Sequence, residues 1–294
     1  MNTVINSTNR FNPNFLPELA DTQSIYFPVS LQDVTATYEG QDGMMEDAFN
    51  PSLKAVVRED TGRILAVHGD GYNLIRNDEL IPQFEDTLRK SSLDLTDMYV
   101  KTSLLDDGGA FVKEYRLPAH KIEVRVGDIT EMVIKFKGSY NGRWASMFSI
   151  GGLRLKCTNG MVAINEFTKA YGRHTKNFNP VGFVDKLSAS ALIYLQNADI
   201  WHKWARKSIS TLSITQLLTE LELPESYNEI IQNQFIAECE ESGHSTIWEL
   251  FNALTAYSTH GKLQKNSQQA IVQDNREKRV SQIIHSQAFR RLAA

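Results

Sequence analysis

Two cysteines in 294 residues, Cys157 and Cys239, stand 82 positions apart and are too few for a disulfide framework. A reducing, cytoplasmic setting is therefore expected. No apolar run approaches the roughly 18 residues that crossing a bilayer requires, so no membrane association is expected. The N-terminus, MNTVINSTNRFNPNFLPEL, lacks the basic and apolar regions of a secretory signal. Nucleotide hydrolysis has no support, because no G-x-x-x-x-G-K-[ST] loop occurs and Gly69-Asp70-Gly71 reads as a plain turn. The seven histidines are scattered, with no Cys-x-x-Cys and no His-x-x-x-His pair, so neither a metal nor another cofactor is expected.

Acidic residues are missing from one long stretch. None lies between Glu131 and Glu166, although the whole chain is acidic at a net charge of −4. Residues 1–100 carry 7 Lys/Arg against 16 Asp/Glu, whereas residues 101–180 carry 13 against 7. Intermixed charges would serve solubility better than this segregation does. A one-sided basic patch attracts polyanions even on an acidic molecule. The competing expectation is that the two segments neutralise each other within one fold.

What is present divides by period. Residues 52–165 are mostly strand-like, with predicted hairpins 54–58/63–68 and 98–105/110–117 and further strands at 121–126, 131–138, 144–150 and 153–158. Asn141-Gly142 is the strongest hairpin signal, since a two-residue type I′ turn needs positive φ at both central positions. Tyr72–Ile75 reads as a short strand, and a helix over 78–91 follows the predicted N-cap Asn77-Asp78. After Pro180 the period becomes helical, over 182–207, 214–221, 225–241 and 245–258. Residues 261–270 read as a polar linker before a last helix, 272–292, with Val280, Ile284, Ala288 and Leu292 in one stripe. The predicted fold is α+β, an antiparallel meandering sheet packed with helices and followed by a helical C-terminal region. The predicted units are an N-terminal arm (1–50), a sheet domain (51–180), a helical region (181–260) and the linker with its helix (261–294).

Five short motifs occur in a telling order. They are Gly71-Tyr72-Asn73-Leu74-Ile75-Arg76-Asn77-Asp78-Glu79, Gly108-Gly109, Gly127-Asp128, Ser139-Tyr140-Asn141-Gly142 and Arg154-Leu155-Lys156-Cys157-Thr158-Asn159-Gly160. Together, over residues 50–180, they resemble the phage- and plasmid-encoded family called domain of unknown function 932. That resemblance implies mobile-element biology and supplies no activity. The architecture of a basic sheet with helices is also similar to single-strand annealing recombinases of the Red-beta, RecT and Erf type.

Strand alternation sorts the candidate residues. Leu153, Leu155 and Cys157 share a face and place the thiol in the core, which argues against a nucleophile. Asp106-Asp107 and Asp94/Asp97 could suggest a metal-dependent nuclease, but Asp-Asp-Gly-Gly is ordinary turn chemistry. No catalytic residue is therefore expected. Lys135 and Lys137 share one face, Arg154 and Lys156 share a face on a neighbouring strand, and all four are expected to line one side of the sheet. Arg143 and Trp144 sit at the hairpin rim, and Lys169, Tyr171, Arg173 and Lys176 occupy a further basic and aromatic segment with no acid after Glu166. Cations that track phosphates and rings that stack on bases suit single-stranded nucleic acid, with DNA preferred. The expected function is thus a non-catalytic single-stranded DNA-binding homo-oligomer, with strand annealing as the activity such an oligomer could support. A host or phage replication or recombination protein is expected as a further partner. The alternative is an interaction protein that inhibits a host defence or regulatory complex through acidic segments near the N-terminus and at 220–249.

Overall fold

The computed structural model of the chain describes residues 25–155, 159–161, 169–172, 186–260 and 269–294. Its α+β architecture has two antiparallel sheets. The smaller contains β1 (Val29–Glu39), β2 (Met45–Arg58) and β3 (Arg63–Gly69) in that order. The larger is a meander of β4 (Tyr99–Leu105), β5 (Ala110–Arg125), β6 (Asp128–Ser139), β7 (Ser146–Arg154) and β8 (Asn159–Met161), with β9 (Lys169–Gly172) also pairing with β7. Sequential neighbours pair because short loops join antiparallel strands directly.

Helix α1 (Asn77–Lys90) covers one face of the large sheet because its apolar positions recur at helical spacing. Leu80, Ile81, Phe84 and Leu88 are all buried, and the Phe84 ring stacks on Phe136 of β6 at 4.7 Å. The other end of that face meets α2 (Lys186–Trp204) and α5 (Ile247–His260), where Trp201, Trp248 and Phe251 interlock. Helices α3 (Thr211–Glu220) and α4 (Glu225–Ser242) complete this helical body, and α4 ends on Gly243 in the left-handed conformation.

The predicted last helix is two. Helix α6 (Gln269–His285) stops and α7 (Gln287–Ala293) restarts at Ser286, whose hydroxyl accepts from the Phe289 N–H. Val280, Ile283, Ile284, Ala288 and Phe289 are all buried in the main core, so the stripe docks on its own chain.

Three other expectations change. The strands predicted at 144–150 and 153–158 form one strand, β7, which ends at Arg154. Asn77 is the first residue of α1 rather than its cap, and residues 73–76 are irregular. Residues 29–39 and 45–50 of the predicted arm are strand, joined by a turn. Beyond Asp33 the register jumps from Asp33↔Lys54 to Val34↔Asn50, leaving Pro51, Ser52 and Leu53 in a bulge. Strand β3 ends its pairing at Leu53↔Gly69, so the tip of β1–β2 continues as a two-stranded ribbon that nothing flanks among the described residues.

Candidate functional site

The register of the β6–β7 hairpin decides what the sheet displays. Lys137 pairs with Met147, Lys135 with Ser149 and Thr130 with Arg154, without interruption. Directly paired residues share a face. Lys135 and Lys137 therefore lie on the face opposite Phe136, whereas Arg154 lies with Phe136, Phe148 and Ile150 on the core face. Lys135, Lys137 and Arg154 thus do not line one side, contrary to expectation. The turn is wider than the two-residue type I′ form, and of its central pair only Gly142 has a positive φ, at 72°. The Asn141 side chain instead accepts from the Arg143 N–H, and the Ser139 hydroxyl bridges to both the N–H and the carbonyl of Trp144.

Helix α6 covers the lysine face. Lys137 is 4% exposed and pairs with Asp274, which also accepts the Trp144 indole N–H at 3.1 Å and the Lys278 ammonium at 2.8 Å. Lys135 pairs with Glu277 and lies 3.9 Å from Glu114 on β5. Burial pulls the Lys135 ammonium down most strongly of all influences, yet Glu277 and Glu114 together hold it above the usual lysine range. Burial likewise pushes both acids up, and the lysines override it: Asp274 and Glu277 stay below the ordinary carboxylate range. These charges are spent inside the fold. Trp144 is buried against Ala110 and Val112 and offers no ring for a base.

Could α6 be a cover that lifts? Each large apolar side chain that it and α7 bury stabilises by about 1.5–3 kcal/mol, so Val280, Ile283, Ile284 and Phe289 contribute roughly 6–12 kcal/mol. That matches the whole stability of an ordinary domain, about 5–15 kcal/mol. Lifting the helix amounts to unfolding, and the lysines beneath it are structural.

Arg154 sits in the second buried network. Its Nε and second terminal nitrogen hold both oxygens of Asp128 at 2.6 and 2.7 Å, and its other nitrogen reaches Glu238 at 2.8 Å. The Trp248 indole donates to Asp128 at 2.8 Å. Arg143 lies at the surface, paired with Asp106 at 2.8 Å. Lys156, Arg173, Lys176 and Cys157 lie outside the described residues. Of Lys169 and Tyr171 the backbone is described, pairing with Ser149 and Met147 at the edge of the sheet.

The acids weighed for metal chemistry have other work. Asp106 and Asp107 adopt left-handed turn conformations, with φ of 49° and 53°. Asp106 binds Asn141 and Arg143, and Asp107 pairs with Arg63. Asp94 accepts the Thr96 N–H. Among the described residues, no three His, Cys, Asp or Glu side chains gather as a metal site would need.

The described residues of the five motifs meet at two points. The Tyr140 hydroxyl accepts the Asn77 N–H at the start of α1, its own N–H donates to the Gly109 carbonyl, and its carbonyl meets the His68 ring. His68 in turn stacks on Tyr72 at 4.0 Å. Tyr140 thus joins the small sheet, α1 and the large sheet at one buried point. Asp128 and Arg154 are the second meeting. The described motif residues form joints between elements of the fold.

The family model called domain of unknown function (DUF932) matches residues 64–283, and the chain belongs to that family. Its span runs well into the C-terminal helices, beyond the region carrying the motifs. No curated protein and no solved structure matches the chain. No helix among the described residues is long and apolar enough to cross a membrane.

A surface that motif reading passed over is the β1–β2 ribbon. It carries Glu39, Asp42, Glu46 and Asp47 and no Lys or Arg from Val34 to Leu53. Register places Met45, Phe49, Glu39 and Asp47 on one face and Tyr38 and Glu46 on the other. Met45 is 67% and Phe49 56% exposed, with Met44 and Tyr38 also exposed. None of the four carboxylates is in an ion pair with a described residue. The signal in sequence was the strand-forming run Val34–Tyr38, followed by acids and exposed-type apolar residues without a cation.

Proposed function

We propose that this chain is a non-catalytic docking protein whose working surface is the acidic ribbon of β1 and β2. The ribbon itself carries that reading. It extends six residue pairs beyond the bulge, roughly 20 Å at strand rise. A two-stranded hairpin without a packed face is marginal by itself: Tyr38 and Thr37 donate to Glu46 and Asp47 across the strands, but Met44, Met45 and Phe49 lie open to water and add nothing. Covering them against a partner contributes about 1.5–3 kcal/mol for each side chain fully buried. Its acids select a partner surface that is cationic and apolar. A photo-crosslinking residue at Phe49 of the full chain, expressed in cells, tests this. Protein adducts are expected there and not at Val126, which is fully exposed at the β5–β6 turn. Equal adducts from both positions, or none from Phe49, would overturn it.

A second reading, single-stranded nucleic-acid binding, keeps one supporting observation. The pairing of β9 with β7 puts the start of the basic segment Lys169–Lys176 at a sheet edge, with β7 between it and the lysines of β6. Its contacts would be Lys156, Lys169, Tyr171, Arg173 and Lys176, with Arg143 at the hairpin tip. Replacing Lys156, Lys169, Arg173 and Lys176 by Ala is then expected to flatten the log–log salt dependence of single-strand binding by about 0.7 for each phosphate no longer neutralised. Gel shifts of a folded quadruple variant that match wild type at every salt concentration dispose of this reading.

A further inference from the structure

The ribbon has a counterpart on the chain's own surface. Along α2, Leu192, Leu195, Ile200 and Lys203 recur at helical spacing and are all exposed, and the stripe runs on into exposed Arg206 and Lys207. Asp199 is the acid on this stripe. After it, no Asp or Glu occurs until Glu220, a gap that also holds the exposed Leu212 at the start of α3. Lys203, Arg206 and Lys207 form no ion pair with a described residue. The helix core beneath is filled by Tyr194, Trp201 and Trp204, so the stripe is not needed to close the chain's own interior. An acidic ribbon studded with Tyr, Met and Phe thus faces the same chemistry in reverse, a cationic stripe studded with Leu and Ile.

We infer that the ribbon of one molecule docks on the α2 stripe of a second copy of this chain. The inference rests on the docking reading above and names its partner. The two surfaces differ, so the contact is heterologous. Repetition of one such contact closes a ring if the rotation permits and grows an open filament otherwise. The ribbon's reach, beyond the three-stranded part of its own sheet, is what lets the contact form without deforming either body.

Charge reversal separates this from other occupants. One variant carries Glu39→Lys, Glu46→Lys and Asp47→Lys, and the other carries Lys203→Glu, Arg206→Glu and Lys207→Glu. By light scattering, wild type is expected to form multimers that dissociate with rising salt, and each variant alone to be monomeric. An equimolar mixture should regain multimers, because the cationic ribbon of the first meets the anionic stripe of the second and the converse pair also matches. Multimers of unchanged mass in either single variant, or failure of the mixture beside an assembling wild type, would overturn the inference. A monomeric wild type that still cross-links from Phe49 to a different protein overturns the second copy and leaves the docking reading standing. A wild type that neither assembles nor cross-links from Phe49 removes both.

Discussion

Replacing Asp274 by Ala is expected to lower the free energy of unfolding by about 3–5 kcal/mol, the cost of breaking a buried ion pair from one side. Asp274 is 4% exposed and serves three donors, the ammonium of Lys137, the indole of Trp144 and the ammonium of Lys278. Lys278 is largely exposed and turns back to water at little cost. Lys137 and Trp144 cannot, so the variant leaves a buried cation and a buried N–H without their acceptor. Adding Lys137→Met should restore much of the loss, because an apolar pair of similar volume often replaces a buried ion pair at little cost. The double-mutant cycle, by guanidinium unfolding, should therefore show strong coupling. The penalty should also depend on pH with a definite sign. The folded Asp274 carboxyl is held below its ordinary value, since Lys137 and Lys278 outweigh the burial that raises it. Its contribution is then complete above the ordinary carboxylate range near about 4 and fades as pH falls through the folded value. A single substitution that changes stability by under about 0.5 kcal/mol would mean that this lysine face is open to solvent.

The outcome bears on function because one arrangement was expected to be a phosphate track. Sequence showed the acid-free run between Glu131 and Glu166 and also the acids of the last helix, Asp274 and Glu277. Nothing local to either segment says that they meet, since 137 residues separate Lys137 from Asp274 and 142 separate Lys135 from Glu277. The meander order was legible because each hairpin announces itself with a turn, Glu59–Gly62, Asp106–Gly109 or Ser139–Gly142. The faces were not legible. A two-residue turn at Asn141-Gly142 would have paired Tyr140 with Arg143 and set Arg154 on the side of Lys135 and Lys137. The observed pairing of Lys137 with Met147 differs by one position, and a one-residue shift sends every side chain of a strand to the other face. The Ser139 hydroxyl holds the wider loop, bonding to both polar groups of the Trp144 backbone.

Motif residues behave differently, because their meaning lies in pairs that only the fold assembles. Tyr140 beside Asn-Gly looks like turn punctuation, yet its hydroxyl caps α1. The ribbon was missed for the opposite reason. Val34–Phe49 mixes a few strand formers with glycines and acids and reads as an arm, and only the end of β3 pairing at Leu53↔Gly69 shows that no third strand accompanies it among the described residues. Exposure of Met45 and Phe49 then becomes informative, as an isolated apolar residue at a surface is not.

The second large effect belongs to Arg154, where Arg154→Met is expected to cost at least about 3–5 kcal/mol at neutral pH. The guanidinium is 1% exposed and serves Asp128 and Glu238 together, so its removal strands two buried carboxylates instead of one. In the native protein burial is the largest influence on Asp128 and raises it. Hydrogen bonds from Arg154 and the Trp248 indole, with the charge of Arg154, more than cancel that and leave the carboxyl below its ordinary range. Native stability from this group is thus present above the ordinary range and lost as pH falls. In the variant the cation is gone and the burial stays, so Asp128 should titrate above its unfolded value. The folded state then binds more protons than the unfolded state between the two values, and stability falls as pH rises through that window. The variant should accordingly recover on mild acidification where wild type does not. Asp128→Asn in the Arg154→Met background should remove the slope that Asp128 contributes and return part of the stability. Chemical unfolding at a series of pH values reads both effects, and a penalty that stays constant from about pH 5 to pH 8 would show that solvent, and not Arg154, balances these acids.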